Sequence, residues 1–450
     1  MDKQAILVFG VGELQKSVIL RAKAMGLHVV GIDPCPDAAS REFTDDFEVI
    51  DGQDYEGTLA VASKYKVSAI ITAATDKPLV MMARIAEALR LPFYSVKTAE
   101  VSTDKYLMKE IFEKAHIPCA RGRLIHHASE ASDLEFPLIV KPRDNSGSRG
   151  VVLCQNTDEL STAIANALEF SKKDTVLVEE FIEGQEYSIE ALHFPGTSND
   201  ESSNDGTSND VTSNDGTSND GTSNDGTSND RTRSVVLQFT EKTTTEFPYN
   251  VELAHKQPAQ LTDTQREEIR NLISRIGGEM GFINCASHTE LKINNRGIFI
   301  IETSPRLGGD YITSTLTPLS TGINIEDQLL RIALGQKPDL DTGRINAASG
   351  VAFLNLLDPK ISQSQDGLHN QDNTISPNSR IIQELDPKLE EVKTWPGVIS
   401  FEHKLHIGDE IHPITSSLNR YGEVIVKGDN YQQVSDLLNK YIEKINLLIV

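Results

Sequence analysis

The run His288-Thr289-Glu290-Leu291-Lys292-Ile293-Asn294-Asn295-Arg296-Gly297-Ile298-Phe299-Ile300-Ile301-Glu302-Thr303-Ser304-Pro305-Arg306 decides the fold. Two apolar stretches each carry one internal carboxylate, Glu290 and Glu302, and a tight Asn294-to-Gly297 turn joins them. Asn295 and Arg296 mark the apex, so the glutamates sit at near-equal distances along a hairpin and can face each other. Facing carboxylates repel unless a cation lies between them. Oxygen ligands beside a phosphate substrate suit Mg²⁺. The alternative is a solvated carboxylate pair on an open sheet face, which needs no metal.

Upstream, Phe136-Pro137-Leu138-Ile139-Val140-Lys141-Pro142 ends an apolar strand in a lysine, and Asn145-Ser146-Gly147-Ser148-Arg149-Gly150-Val151 follows. A lysine at the end of a buried strand costs desolvation unless an anion meets it. A small glycine-bearing loop between strands can bring backbone N–H groups to phosphates. An ordinary Gly/Ser hairpin reads equally well from these residues alone. A further strand reads at 175–180, the run Val176 to Ile182 leads into Glu183-Gly184-Gln185-Glu186, and 158–170 reads as a helix before it.

From Ala5 to about Lys97, short apolar runs at 5–9, 28–32, 48–50 and 68–72 alternate with helical stretches at 14–25, 55–65 and 77–89. Such alternation means a parallel sheet with helices on both faces. Gly10-Val11-Gly12, with Asp33 ending the second strand, is a partial dinucleotide fingerprint. Gln15 stands where its third glycine belongs, so a tight packing turn is the simpler reading. Asp76 follows a parallel strand, where open α/β sheets place ligands, and reads equally as a helix N-cap. Near the C-terminus, 397–406 and 422–427 read as strands and 431–445 as a closing helix. His403, His406 and His412 cluster there without metal-ligand spacing and read as surface or core residues.

Taken in this order, the residues resemble the ATP-grasp superfamily of carboxylate–amine ligases over nearly the whole chain. The resemblance implies an α/β and α+β fold in three parts. These are a doubly wound parallel domain (1–98), a two-lobed ATP-grasp domain (99–340) and a small α+β C-terminal domain (341–450). It implies ATP between the two lobes, with Mg²⁺ or Mn²⁺. Lys105 and Lys141 match phosphate-contacting lysines, and Ser146, Gly147, Ser148 and Gly150 match a mobile phosphate loop. Glu179, Glu180, Phe181 and Ile182 match the hinge beside adenine, and Glu186 the position facing ribose. Glu290 and Glu302 match the metal ligands. Ser304 departs from the asparagine that many members use as a further ligand; a serine can coordinate there weakly or through water. Arg306 matches the arginine that stabilises the acyl phosphate and the tetrahedral intermediate. The run Arg306 to Asp310 is similar to the L-amino-acid-ligase and carbamoyl-phosphate-synthase-like branch. In that branch Gly308 and Gly309 admit backbone close to a substrate, and His255 lies where a substrate pocket is often lined.

The implied activity is an ATP-dependent ligase that forms an amide or peptide bond through an acyl phosphate. It releases ADP and phosphate and takes a small carboxylate and an amine, with amino-acid-like substrates first. Carbamoyl- or phosphoribosylamine-type ligases and a non-catalytic nucleotide-binding protein are the alternatives, with a nicotinamide-dependent oxidoreductase last. A homodimer is compatible with any of them.

Composition sets outer bounds. The 450 residues hold 38% hydrophobic and 24% charged side chains, enough for two or three cored domains. A formal net charge of −23 argues against a nucleic-acid surface, though not against a local phosphate pocket. Cys35, Cys119, Cys154 and Cys285 form no CxxC pair, which points away from disulfides and structural zinc and towards a cytoplasmic protein. No apolar run approaches the roughly 20 residues of a membrane span, and the N-terminal run at 5–9 is too short for a signal peptide.

Gly196 to Asp230 is a run of pentapeptides such as Gly-Thr-Ser-Asn-Asp, with nothing larger than Val211 to bury. Such a segment cannot offset its ordering entropy and is expected to be a disordered insertion in a hairpin loop, joining strands at 187–194 and 234–240. Its aspartates lack the glycine and glutamate offsets of known calcium loops. A second polar stretch, 362–380, is expected to be a loop. Replacing 196–230 with a short glycine-containing turn is expected to leave melting temperature and ATP affinity unchanged, because each doubling of loop length costs only about 0.6 kcal/mol. A calcium-dependent melting shift that vanishes on deletion would contradict this reading.

Overall fold

Four parallel strands open the chain: β1 (Ala5–Phe9), β2 (His28–Asp33), β3 (Asp46–Val49) and β4 (Ala69–Ile71), in the order β3-β2-β1-β4. The computed structural model describes residues 3–145, 149–196, 232–247, 249–357 and 380–449. Helices α1 (Lys16–Ala24) and α2 (Tyr55–Lys64) make crossovers, and α3 (Leu79–Leu89) follows β4. All five residues of β1 are buried, as expected of a central parallel strand covered on both faces. Asp33 accepts the Val11 N–H at 2.8 Å, and Gln15 bonds both Gly12 and the Ala73 carbonyl. The turn that a dinucleotide would need is thus filled by the chain's own side chains.

After α4 (Val96–Ser102) and α5 (Lys105–Lys114) comes a small antiparallel lobe. Its strands are β5 (Gly122–Ile125), β6 (Leu138–Pro142), β7 (Val152–Cys154) and β8 (Val176–Glu180), ordered β5-β8-β6-β7. Helix α6 (Thr157–Glu169) lays Leu160, Ala163, Ile164 and Ala167 on that sheet. Asn156 caps it by accepting N–H bonds from Asp158 and Glu159.

The large sheet contains β9 (Gln185–Pro195), β10 (Thr232–Thr244), β11 (Glu252–Gln257), β12 (Cys285–Asn294) and β13 (Gly297–Ser304). Pro195 pairs with Thr232, so 196–231 joins two neighbouring antiparallel strands, as the hairpin reading expects. The disorder expected of 196–230 and the loop expected at 362–380 lie outside the described residues, apart from their end residues Gly196 and Arg380. Helices α7 (Asp263–Met280), α8 (Thr317–Thr321) and α9 (Ile325–Ala333) pack around this sheet.

The C-terminal region does not begin a new sheet at residue 341. Strands β14 (Ala348–Phe353), β16 (Val398–His403) and β18 (Gly422–Gly428) extend the large one, in the order β13-β12-β9-β10-β11-β14-β18-β16. β15 (Arg380–Ile381) and β17 (Glu410–Ile411) pair separately, and α10 (Tyr431–Leu447) covers β14 and β18.

Both faces of the first sheet share cores with the large sheet. Leu7 and Val30 join Ile189, Ile276 and Ile300 on one side, and Ile6 and Val29 join Leu192, Ile325 and Leu330 on the other. At the second contact the Ser17 hydroxyl donates to Glu326 at 2.6 Å, and Arg21 Nε donates to Asp327 at 2.8 Å. Burial lifts the Glu326 carboxyl to about 7, against the opposing pull of Ser17 and Arg21. The fold therefore favours the neutral acid: the cost of ionising it is absent below its ordinary value of 4.5, grows as pH rises to about 7, and is constant above. Glu326→Gln is expected to raise stability by the order of 1–3 kcal/mol near pH 8 and to change little at acid pH. Melting curves at the two pH values check this, and equal gains at both would point to packing instead.

Candidate functional site

An open cleft lies between the small lobe and the large sheet. Its floor is the β12–β13 hairpin. Counted from the apex, the ladder pairs Asn294 with Gly297 and continues in plain register to Leu291 opposite Ile300. In that register Glu290 would face Ile301, and Glu302 would point to the other side of the sheet. A one-residue bulge intervenes, so Glu290 pairs with Glu302. Both Ile301 and Glu302 then border the cleft.

Each glutamate is met by a lysine. Lys105, the first residue of α5, pairs with Glu302, and Asp104 caps that helix. Lys242 of β10 reaches Glu290 at 2.9 Å and Glu252 at 3.4 Å. Burial would raise the Glu290 carboxyl, but Lys242 and His288 hold it well below the usual range. His288 lies between Glu190 at 2.6 Å and Glu290 at 3.4 Å. Burial pulls its imidazole down and Glu190 pushes it up, to about 9. Lys242, Glu252, His288 and Glu190 were not singled out from the sequence; strand alternation puts Lys242 on the same face as its register partner His255, but its partners come from distant strands.

Lys141 is buried and pairs with Glu179, whose other oxygen takes Lys109 at 2.6 Å. Burial raises the Glu179 carboxyl, and these two lysines bring it below its ordinary value. One carboxylate between two lysines leaves a local positive excess at this wall. Glu180 turns outward to Arg121, while its N–H bonds the Arg121 carbonyl and the Phe181 N–H bonds Pro137. Ile182 is buried and borders the cleft. Glu186 is held by Lys292 at 3.1 Å and by Asn250 at 3.3 Å. Phe181 and Phe247 meet edge-on at 5.2 Å, with Lys292 above the Phe181 ring. Gly150 has φ +77, and a Cβ there would meet Pro142 and Phe170 at 2.9 Å. Ser146, Gly147 and Ser148 lie outside the described residues; their neighbours Asn145 and Arg149 border the cleft.

The remaining expected residues do not line the cleft, and Arg306 borders a second, smaller pocket. Arg306 bonds Asp76, which also accepts from Ser304. A Cβ on Gly308 would come within 2.8 Å of His288 Nδ1 and about 3.0 Å of Glu190, so only glycine packs there. Gly309 lies against Ala74. His255 is buried, 3.5 Å from Asp310, which Arg420 clamps at 2.8 and 3.0 Å. His403, His406 and His412 stay apart on the C-terminal region, and among the described residues no three His, Cys, Asp or Glu side chains gather as a metal cluster. Two facing carboxylates with cations already drawn to them, open to a cleft, fit Mg²⁺, which commonly takes one or two carboxylates and completes its shell with phosphates and water.

A family model described as an ATP-grasp domain matches residues 134–198 and 222–314, and one described as L-amino acid ligase C-terminal domain 2 matches 387–449. The chain carries an ATP-grasp domain. The gap in the match, 199–221, falls within the pentapeptide repeats. Formate-dependent phosphoribosylglycinamide formyltransferase of Prochlorococcus marinus is 25% identical over 187 residues, 40% of this chain and 48% of that protein. The carbamoyl phosphate synthase large chain of Clostridium botulinum is 22% identical over 38% of this chain and 17% of its own. The chain thus spans less than half the length of these relatives. Among solved structures, L-amino acid ligase from Bacillus licheniformis superposes with a TM-score of 0.73 at 19% identity, covering 100% of this chain and 98% of that one. Phosphoribosylglycinamide synthetase from Anaerococcus prevotii gives 0.69 at 20% identity, covering 100% and 99%. These likenesses establish the ATP-grasp architecture.

Glu302→Gln keeps the shape of the floor and removes one charge. The variant is expected to melt within a few degrees of the parent without ligand. The concentration of Mg²⁺ needed for ADP to stabilise it should rise tenfold or more. Thermal melts across a Mg²⁺ series at fixed ADP test this, and an unchanged requirement would remove Glu302 from the metal site.

Proposed function

We propose that the protein is an ATP-dependent carboxylate–amine ligase that forms an amide or peptide bond through an acyl phosphate and releases ADP and phosphate. The observation that carries the reading is the bulged hairpin, which sets Glu290 opposite Glu302 in a lysine-walled cleft, with Arg306 just beyond the same strand. Bound there, Mg²⁺ would neutralise charge on the phosphates during transfer. Glu290 and Glu302 are the residues that would hold it.

Lys105 and Lys141 position the phosphates, and the edge-on Phe181–Phe247 pair offers an apolar wall for the base. Glu186, fixed by Lys292 and Asn250, presents acceptor oxygens to ribose hydroxyls. Arg306 meets the oxyanion that develops when the amine attacks the acyl phosphate. Gly308, without a side chain, lets the 306–309 segment lie close over His288 and Glu190. We assign residues 1–98, 99–340 and 341–450 to the three regions of such a ligase. The match over 387–449 favours amino-acid-like substrates over phosphoribosylamine-type ones. The solved 2-oxoglutarate carboxylase biotin carboxylase domain of Hydrogenobacter thermophilus is a dimer with MgADP, which supports the same nucleotide here and a homodimer. No helix among the described residues is long and apolar enough to cross a membrane, and all four cysteines are free. Both support our assignment to the cytoplasm.

With ATP, Mg²⁺, pooled small carboxylates and hydroxylamine, the protein is expected to release ADP and phosphate and to form a hydroxamate. Arg306→Ala should slow hydroxamate formation by about 10²–10³-fold while ADP binding is kept. Detection of AMP and pyrophosphate instead would reject the acyl-phosphate route.

A further inference from the structure

Asp76 comes from the first sheet, in the connection between β4 and α3, yet its carboxylate lies at the far end of the metal-site hairpin. Oδ1 accepts from Arg306 Nε at 2.8 Å and from the Ser304 hydroxyl at 2.6 Å, and Oδ2 accepts from Arg306 Nη2 at 3.3 Å. Arg306 Nη1 donates to the Leu307 carbonyl at 3.0 Å. The guanidinium has five N–H groups in a rigid fork, so its Nε–Nη2 edge is occupied while one N–H on each terminal nitrogen is left for a ligand.

The connection is pinned where it crosses. Ala73 and Leu307 form a parallel bridge, the Ala74 N–H donates to the Leu307 carbonyl at 3.2 Å, and Ala74 holds a left-handed φ of +55. Ser304 is buried and does not border the nucleotide cleft, unlike Glu302 two residues earlier. Its hydroxyl proton is committed to Asp76. Burial would raise the Asp76 carboxyl, but Arg306 and Ser304 bring it to about 2, so it stays ionised beside the arginine.

The geometry points to a positioning role: Asp76, held by Ser304, aims Arg306 at the transferring phosphoryl or acyl oxygen, and residue 304 serves the arginine rather than the metal. This rests on the ligase reading of Arg306. It assigns the first domain a direct part in the site. It also gives the serine a function that a metal-ligating asparagine would not have.

The test uses the full chain, with MgADP and then MgADP plus aluminium fluoride, a mimic of the transferring phosphoryl group. Ser304→Ala and Asp76→Asn are expected to keep the Mg²⁺ requirement for ADP stabilisation within about twofold of the parent, since neither removes a metal ligand. Both should weaken the fluoride-dependent gain in melting temperature at least tenfold in apparent affinity, approaching Arg306→Ala. Ser304→Thr keeps the hydroxyl and should restore it; if Asp76→Asn fails to fold, the two serine variants decide alone. A tenfold higher Mg²⁺ requirement in Ser304→Ala would make residue 304 a metal ligand and overturn the proposal. So would unaltered fluoride binding in Ser304→Ala or Asp76→Asn when Arg306→Ala loses it. If Arg306→Ala itself binds fluoride normally, the assigned role of Arg306 falls and this proposal with it. A parent protein that gains nothing from MgADP would instead fail the nucleotide reading.

Discussion

Two carboxylates forced to face each other are the constraint on which the site depends. Directly opposed residues on neighbouring strands have Cβ atoms about 5 Å apart. Two like charges at that distance repel by the order of 3 kcal/mol at an effective dielectric near 20. The β12–β13 ladder accepts that repulsion at Glu290 and Glu302 and distorts itself with a bulge to create it. A stable hairpin has no use for such an arrangement. It makes sense only if the charge is answered from outside the hairpin.

The answer comes from both sides of the cleft. Lys105 arrives from the helix after the first domain and Lys242 from β10, so each glutamate has its own cation before any ligand binds. Lys141 and Lys109 do the same for Glu179 on the small lobe. Removing Glu179 would leave two buried lysines uncompensated, which costs more than the pairs contribute. On the proposed reading, Glu290 and Glu302 would hold a divalent cation in place of the lysines, which would then be free to meet phosphate oxygens. Nucleotide binding with its metal would thereby exchange one set of ion pairs for another, with no carboxylate left unpaired.

Much of this was legible in the sequence. The parallel sheet and its helices follow from fully apolar runs such as Ala5–Phe9, and the turn at 294–297 locates its hairpin to the residue. The pairing of the glutamates was legible only in outline. They stand four and five positions from the turn residues Asn294 and Gly297, so an unbroken ladder would separate them, and the bulge that reunites them leaves no mark in composition. Lys242 and His288 escaped notice because their importance lies in partners dozens of residues away. The C-terminal strands at 397–406 and 422–427 read correctly as strands, but β14, which joins β18 to β11 and so to the large sheet, does not, since joining one sheet or founding another depends on non-local pairing.

The repeats fit the same geometry. Strand β9 enters the site at Glu186 and ends at Pro195, nine residues later, where it pairs with Thr232. At about 3.3 Å per residue, the insertion leaves the sheet roughly 30 Å from the cleft. Between those ends the β9–β10 pairing is continuous except for one irregularity near Val236 and Gln238. Register at the site is therefore set by the strand pairs and not by the connection between them, and the cost of closing a flexible connection grows only with the logarithm of its length. One hairpin can hold a cleft-lining glutamate at one end and the repeats at the other because the ladder between them isolates the two.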